Sequence, residues 1–153
     1  MSTAHTFTYS RTHTAVFVSD NMRNLIRDII SWSGLDPTKL ADDWVIVGNA
    51  VQTWLRSADL QEVVLEFFVP GQNVAAARWD FPISYDGSGV DDDMWVAKAF
   101  VKNTIEKSRK PPANATYRVV LIVRPGAPSI PGMGSATLRD TTGLTGRDSG
   151  TAI

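Results

Sequence analysis

Apolar residues recur at three- and four-residue spacings in two long stretches of the N-terminal half. In residues 12–33 the apolar positions with this spacing are Val18, Met22, Leu25, Ile26 and Ile29. The spacing predicts an amphipathic helix that ends at Gly34. A second helix is predicted from Asp36 and Pro37 to about Ser57, because a capping residue followed by a proline suits a first helical turn.

The period of the pattern changes to two after the second helix. In residues 61–69 and again in residues 75–85, apolar and polar positions alternate, as they do in strands with one buried face. Turn residues at 70–73 separate the two runs, which predicts an antiparallel hairpin. Pro82 has no backbone N–H to donate, so we expect the second strand to lie at an edge of the sheet.

The remaining elements are a third helix and a strand that is apolar on both faces. The helix is predicted over residues 94–110, where Pro111 ends it. Residues 116–124 are apolar nearly throughout, and such a strand needs cover on both faces. Residues 6–9 alternate and predict a short N-terminal strand. The order of elements predicts an α+β domain with helices on one side of an antiparallel sheet.

The segment after residue 124 differs in composition from the rest of the chain. It holds six of the 11 glycines and no aromatic residue, so it cannot build a hydrophobic core of its own. Residues 135–139 have the pattern of a strand, and Gly143, Gly146 and Gly150 are spaced like turn residues. Two interpretations follow: a frayed terminus, or a segment that wraps the domain, occupies a sheet edge and can leave it.

Composition narrows the chemistry that the chain can perform. Its 153 residues carry 15 Lys+Arg and 16 Asp+Glu, a net charge of −1, which provides no general basic surface for DNA or RNA. The chain has no cysteine, which excludes disulfides, thiolate metal sites and a cysteine nucleophile. No nucleophile–base pair or metal triad accompanies His5 and His13. We therefore expect a binding protein without metal or cofactor rather than an enzyme.

Two charged runs have both a structural and a functional interpretation. Asp86 and Asp91–Asp93 could bind a hard cation, but acidic residues before a helix also cap its free amides. Lys107–Lys110 suits the C-terminal end of a helix, and it could also bind phosphate. Residues 1–10 lack the features of a signal peptide and no apolar stretch is long enough to span a membrane, so we expect a cytoplasmic protein.

Short sequence words spread over essentially the whole chain carry a resemblance to a known family. They are Thr12–Thr14, Val18–Asn21, Ser33–Pro37, Thr53–Leu55, Arg78–Asp80, Arg124–Gly126 and Gly150–Thr151. The sequence resembles the bacterial HORMA-domain proteins of CBASS antiphage defence operons. The resemblance implies a HORMA domain, with three helices packed on a three-stranded antiparallel sheet and a C-terminal segment called the safety belt. It implies one domain over residues 1–153: an N-terminal segment (1–11), a core (12–124) and a mobile belt (125–153).

The resemblance also implies a peptide-binding switch. In HORMA proteins the belt occupies one sheet edge in the open state and moves to the opposite edge in the closed state. In the closed state a partner's peptide, the closure motif, adds as a strand and the belt locks over it. Bacterial members closed on a peptide bind and activate a cGAS/DncV-like nucleotidyltransferase, which makes a cyclic oligonucleotide second messenger. An AAA+ remodelling ATPase grips the N-terminal segment and reopens the domain.

Carried onto this sequence, the resemblance implies that residues 116–124 receive the peptide. The implied peptide-binding residues are Arg118, Val120, Ile122 and Arg124 of that strand, and Met133, Ala136 and Leu138 of the belt. The residues implied to be engaged by the ATPase are Ser2, Thr3, His5 and Thr6. The residues leave one alternative function open, a small nucleic-acid-binding adaptor that uses Lys107–Lys110 together with Arg118.

Overall fold

The computed structural model describes residues 2–4, 7–8, 15–85, 98–107, 110–139 and 149–152. Its elements in chain order are β1 (Ser2–Ala4), β2 (Phe7–Thr8), α1 (Ala15–Trp32), α2 (Thr38–Arg56), β3 (Leu60–Phe68), β4 (Ala77–Ser84), α3 (Lys98–Lys107), β5 (Thr116–Val123), β6 (Gly134–Thr137) and β7 (Ser149–Ala152). The start predicted for the third helix and the acidic residues before it lie outside the described residues.

The sheet has β3 near its centre and the two ends of the chain on its flanks. Its strand order is β1-β4-β3-β5-β7-β6, and β2 pairs with β4 as well. β3 is antiparallel to both β4 and β5, and Val64 lies opposite Asp80 on one side and Val120 on the other. The predicted α+β class is therefore confirmed. The sheet is wider than the three strands expected, because the N-terminal strands extend it beyond β4 and the C-terminal strands extend it beyond β5.

The main core lies between one face of the sheet and the helices. The largest side chains in it with almost no exposure are Met22, Leu25, Ile26, Ile29, Ile30, Trp54, Leu55, Leu60, Leu65, Phe67 and Phe81. Tyr117 connects β5 with the start of α2, since its hydroxyl donates to the Asp36 carbonyl at 2.8 Å and accepts from the Leu40 amide at 3.2 Å. Burial raises the pKa of the Tyr117 hydroxyl, which keeps it a neutral donor.

β4 is not an edge strand, contrary to the expectation from Pro82. β1 runs parallel to it at positions 78–80, and β2 runs parallel to it at Ile83 and Ser84. Pro82 falls between these two paired stretches, and on the other side it lies opposite Glu62 of β3. A residue without an N–H is thus accommodated where the described pairing with the N-terminal strands is interrupted.

The ends and the middle of α2 follow from individual residues. Thr38 donates both its amide and its hydroxyl to Asp36 Oδ1, at 2.9 and 2.6 Å. These bonds lower the pKa of the Asp36 carboxyl, and they satisfy a free amide of the first turn. Gly48 lies in the middle of the helix because a Cβ there would lie 2.7 Å from the Trp44 indole ring.

Gly48→Ala tests this close approach. Alanine favours a helix interior by about 1 kcal/mol over glycine, but overpacking the buried Trp44 ring costs about 1–3 kcal/mol. We therefore expect a net loss of stability in urea denaturation. The matched control is Val45→Ala, at a side chain that is 78% exposed on the same helix, with a change within about 0.5 kcal/mol. A Gly48→Ala variant more stable than the wild type would contradict the packing argument.

Candidate functional site

β5 pairs with β3 along one edge and with a strand of the tail along the other. Its first edge pairs with β3 along eight register positions. Val119 and Leu121 point into the main core, whereas Val120 belongs to a second apolar cluster on the opposite face of the sheet. The prediction that this strand is covered on both faces is therefore confirmed.

The face of the sheet away from the helices, here called the outer face, is covered by the tail that follows β5. The second cluster consists of Val64, Val120, Leu138 and Ala152, with Ile122 and Ala136 packed against it. Three of these residues belong to β3 and β5, and the other three belong to the tail. Leu138 is only 2% exposed, so the tail supplies a buried apolar side chain and does not merely lie alongside the domain.

The first part of the tail is fixed to α2. Trp54 Nε1 donates a hydrogen bond to the Pro128 carbonyl at 2.9 Å. Ile130 is 7% exposed and packs in the main core, and Met133 packs against the same core. Residues 127–133 are therefore attached to the domain independently of the strands that follow them.

The second part of the tail is a β-hairpin that lies against β5. β6 and β7 are antiparallel, with Gly134 opposite Ala152. β7 is antiparallel to β5 and joins it at Leu121, which lies opposite Thr151. The Thr151 hydroxyl donates to the Leu121 carbonyl at 3.1 Å. The edge that sequence reasoning assigned to a peptide is thus occupied by the chain's own tail.

Gly150 allows β7 to approach β5 this closely. A Cβ at this position would lie 2.6 Å from Val120 Cγ1 and 2.7 Å from the Leu121 carbonyl oxygen. Contacts under 3.0 Å require something to move, and here one of the two neighbours is backbone. The docked hairpin therefore depends on the absence of a side chain at position 150.

A buried carboxylate on the outer face holds the tail by charge. Glu66 of β3 has no exposed surface, and Arg118 and Arg139 are about one-quarter exposed. Its Oε1 accepts from Arg118 Nε at 2.8 Å and from Arg139 Nη1 at 2.7 Å. Its Oε2 accepts from the Arg139 backbone amide at 2.7 Å. We call Glu66, Arg118 and Arg139 the Glu66 cluster.

Arg139 and Arg118 also bind backbone groups next to the cluster. Arg139 Nε donates to the Gln72 carbonyl at 2.9 Å, and its guanidinium lies 3.7 Å from the centre of the Phe68 ring. Arg118 Nη2 donates to the Thr137 carbonyl. The Glu66 cluster therefore joins β3, β5, the turn after β3 and the tail.

The opposite edge of the core sheet is occupied by the N-terminal strands. Ser2 and Thr3, predicted to be engaged by an ATPase, lie in β1 opposite Arg78 and Trp79 of β4. His5 and Thr6, from the same prediction, lie outside the described residues. Both edges of the three-stranded core are thus paired with segments from the ends of the chain.

The structure brings together five of the seven residues predicted to bind a peptide. Arg118, Val120, Ile122, Ala136 and Leu138 lie on the outer face or in the tail that covers it. Met133 packs on the main core instead. Arg124 is exposed at the end of β5, where its amide donates to the Asp59 carbonyl at 2.9 Å.

Glu66 and Arg139 were not identified from the sequence as residues that hold the tail. Glu66 follows the alternating pattern of β3 and was expected on a polar face, because the pattern contains no sign that a tail covers it. The strand register does place Glu66 opposite both Arg78 and Arg118, a signal available once the strands are aligned. Arg139 has no such signal, since its contact with Glu66 spans 73 positions of sequence.

Two further features concern the described residues: metal clusters and membrane-spanning helices. There, no group of three or more His, Cys, Asp or Glu residues is arranged to hold a metal ion. His13, Asp86 and Asp91–Asp93 lie outside those residues. Within the same part of the chain, no helix has the length and apolar character needed to cross a membrane.

Gly150→Ala tests whether the hairpin depends on close approach to β5. The added methyl group should push β7 away and speed trypsin cleavage after Arg139 by about tenfold, the effect of a moderate overpacking penalty. Gly134→Ala is the matched control in the partner strand, because a Cβ there would meet nothing within 4 Å. Equal cleavage rates in the two variants would show that position 150 does not control docking.

Among the comparisons with known proteins, one identifies a family and another identifies a similar fold. The family model described as Bacterial HORMA domain 2 matches residues 1–153. No curated protein matches the sequence. A chain in the crystal structure of a mitotic checkpoint complex is similar with a TM-score of 0.64 and 13% sequence identity, covering 90% of this chain and 97% of that one. HORMA domains are in general non-catalytic adaptors that bind peptides and switch conformation. By the match along its whole length, this chain belongs to the bacterial HORMA domain 2 family.

Proposed function

We propose that the protein is the peptide-capturing switch of a CBASS antiphage signalling system. In this proposal it captures a closure-motif peptide at β5, then binds and activates a cGAS/DncV-like nucleotidyltransferase that makes a cyclic oligonucleotide. The observation that carries the proposal is the pairing of β5 with the chain's own tail. In this proposal the tail is a cover that a peptide can displace from the edge of β5.

Strand addition explains how a peptide would compete with the tail. The described register joins β7 to β5 at one residue pair, although β5 has eight residues. A peptide that formed about four ladder hydrogen bonds would gain a few kcal/mol at roughly 0.5–1.5 kcal/mol each. Side-chain contacts and closure of the belt would supply the rest. The docked tail corresponds to the open state that the family resemblance implies.

The outer face supplies the proposed side-chain contacts. Val120 and Ile122 of β5 would contact the captured peptide, with Ala136 and Leu138 of the displaced belt closing over it. Their present position in one apolar cluster supports this assignment. We propose Arg118, Arg124 and Met133 as further contacts, although Met133 now packs on the main core.

The moving part of the belt is proposed to be shorter than residues 125–153. The hydrogen bond from Trp54 to Pro128 and the burial of Ile130 favour a fixed first part. Movement then begins near Gly134, where the β-hairpin starts.

The N-terminal segment is proposed as the handle of an AAA+ remodelling ATPase, engaged at Ser2, Thr3, His5 and Thr6. β1 and β2 have three and two residues, and strands this short are easily pulled from an edge. We place the whole system in the cytoplasm, where a nucleotidyltransferase has its substrates.

The alternative function, a nucleic-acid-binding adaptor, depends on an arginine that is already engaged within the protein. Arg118, which it requires beside Lys107–Lys110, is ion-paired with the buried Glu66. A cation engaged in this way is less available to a phosphate. Salt-dependent retention on DNA or RNA remains the measurement that would distinguish this adaptor from a peptide-binding protein.

Selection of short random peptides displayed on phage tests capture by the full chain. We expect enriched peptides to bind the wild type and, at saturation, to change the trypsin cleavage rate after Arg139. Val120→Asp should abolish binding, because a carboxylate would be buried between Val64 and Leu138, while circular dichroism should show that the helices remain. Val45→Asp is its control, because it makes the same substitution at an exposed side chain of α2 and should leave binding unchanged.

Binding that survives Val120→Asp would move the site away from β5. Activation is tested separately with a cGAS/DncV-like nucleotidyltransferase, incubated with nucleoside triphosphates, this protein and a selected peptide. We expect cyclic oligonucleotide only when all three are present. Synthesis that is independent of this protein would refute the signalling role.

A further inference from the structure

Glu66 is the one acidic side chain that the structure buries completely among the residues it describes. A buried carboxylate needs charged or hydrogen-bonding partners to offset its lost hydration. Glu66 has two guanidinium partners and one backbone amide. Two of these three donors belong to Arg139, which lies in the tail.

The two arginines differ in what they depend on. Arg118 lies on β5 directly opposite Glu66, so this pair can persist wherever the tail lies. Arg139 reaches Glu66 only while the tail crosses the outer face. Its contacts with the Gln72 carbonyl and the Phe68 ring have the same requirement. The charge network is therefore complete in the docked state alone.

We propose that Arg139 is a latch that holds the tail over the β5 edge by completing the charge network of Glu66. The proposal rests on the proposed function in one respect: the latch sets the fraction of molecules whose β5 edge is free for a peptide. Because the apparent dissociation constant equals the intrinsic one divided by that fraction, a weaker latch gives tighter capture.

Arg118 of β5 also helps to hold the tail. Its Nε donates to Glu66, and its Nη2 donates to the Thr137 carbonyl of the tail. Glu66 thus orients Arg118 toward the tail as well as binding Arg139 directly. Removing the charge of Glu66 should therefore weaken both the bond from Arg139 to Glu66 and the bond from Arg118 to Thr137.

Arg139→Gln in the full chain tests the latch without any peptide. Loss of a charge-assisted network should raise amide hydrogen exchange by about tenfold to a hundredfold. The rise should occur in β7 and at the edge of β5 that β7 covers. Exchange in the β3–β4 pairing should not change, since Arg118 still binds Glu66. A general rise in exchange would mean that Arg139 stabilises the whole fold and is not a latch.

Three further variants separate charge from shape. Arg139→Lys should give an intermediate rate, because an ammonium group cannot bind Glu66 and Gln72 with the geometry of a guanidinium. Glu66→Gln combined with Arg139→Gln should be less than additive, as expected for residues in direct contact. Arg56→Gln, at an exposed arginine in the last turn of α2, should match the wild type. Exchange in Arg139→Gln equal to that in Arg56→Gln would overturn the proposal.

A second measurement distinguishes failure of the latch from failure of the proposed function. Peptides selected on the wild type should bind Arg139→Gln more tightly by the factor seen in exchange. Faster exchange with no peptide captured by either protein would support the latch and count against capture. Capture by the wild type with neither tighter binding nor faster exchange in the variant would refute the latch and leave capture intact.

Discussion

The β3–β4–β5 sheet has two outer edges, and each edge presents backbone amides and carbonyls that need partners. Left bare, such edges pair with other chains and aggregate. Here the N-terminal strands cover β4 and the C-terminal hairpin covers β5. The helices, the main core and the long strands together form a rigid frame for these two edges. The function of the domain follows from which segment occupies each of them.

The cover on β5 is held by several modest contacts and not by one strong one. Burial of the Leu138 side chain contributes about 1.5–3 kcal/mol, and Gly150 permits one close strand contact. The Glu66 cluster adds charge-assisted hydrogen bonds. Each contribution is comparable to what a bound peptide strand would offer. Two arrangements of similar free energy are what a conformational switch requires.

Local patterns predicted most of the fold, while contacts between distant segments escaped them. Helix α1 and the hairpin of β3 and β4 were evident from periodicity, because each buries a regular face, and β5 was evident from a run that is apolar nearly throughout. β7 was not predicted, since Ser149–Ala152 has no alternation and pairs only because Gly150 fits against Leu121. The edge position expected for β4 from Pro82 was wrong, because the proline interrupts the described pairing only locally. Arg139 could not be matched with Glu66 without the path of the tail.

The hydrogen bond from Trp54 to Pro128 has a kinetic consequence for capture. Because the proposed moving part begins near Gly134, a displaced hairpin would remain tethered a few residues from its docking edge. Short tethers of this kind give effective concentrations on the order of millimolar. A free peptide present at far lower concentration must therefore bind β5 more tightly than the tail does, or arrive during a brief opening and be enclosed before the hairpin returns. The anchor thus acts as a concentration threshold against weak or accidental peptides.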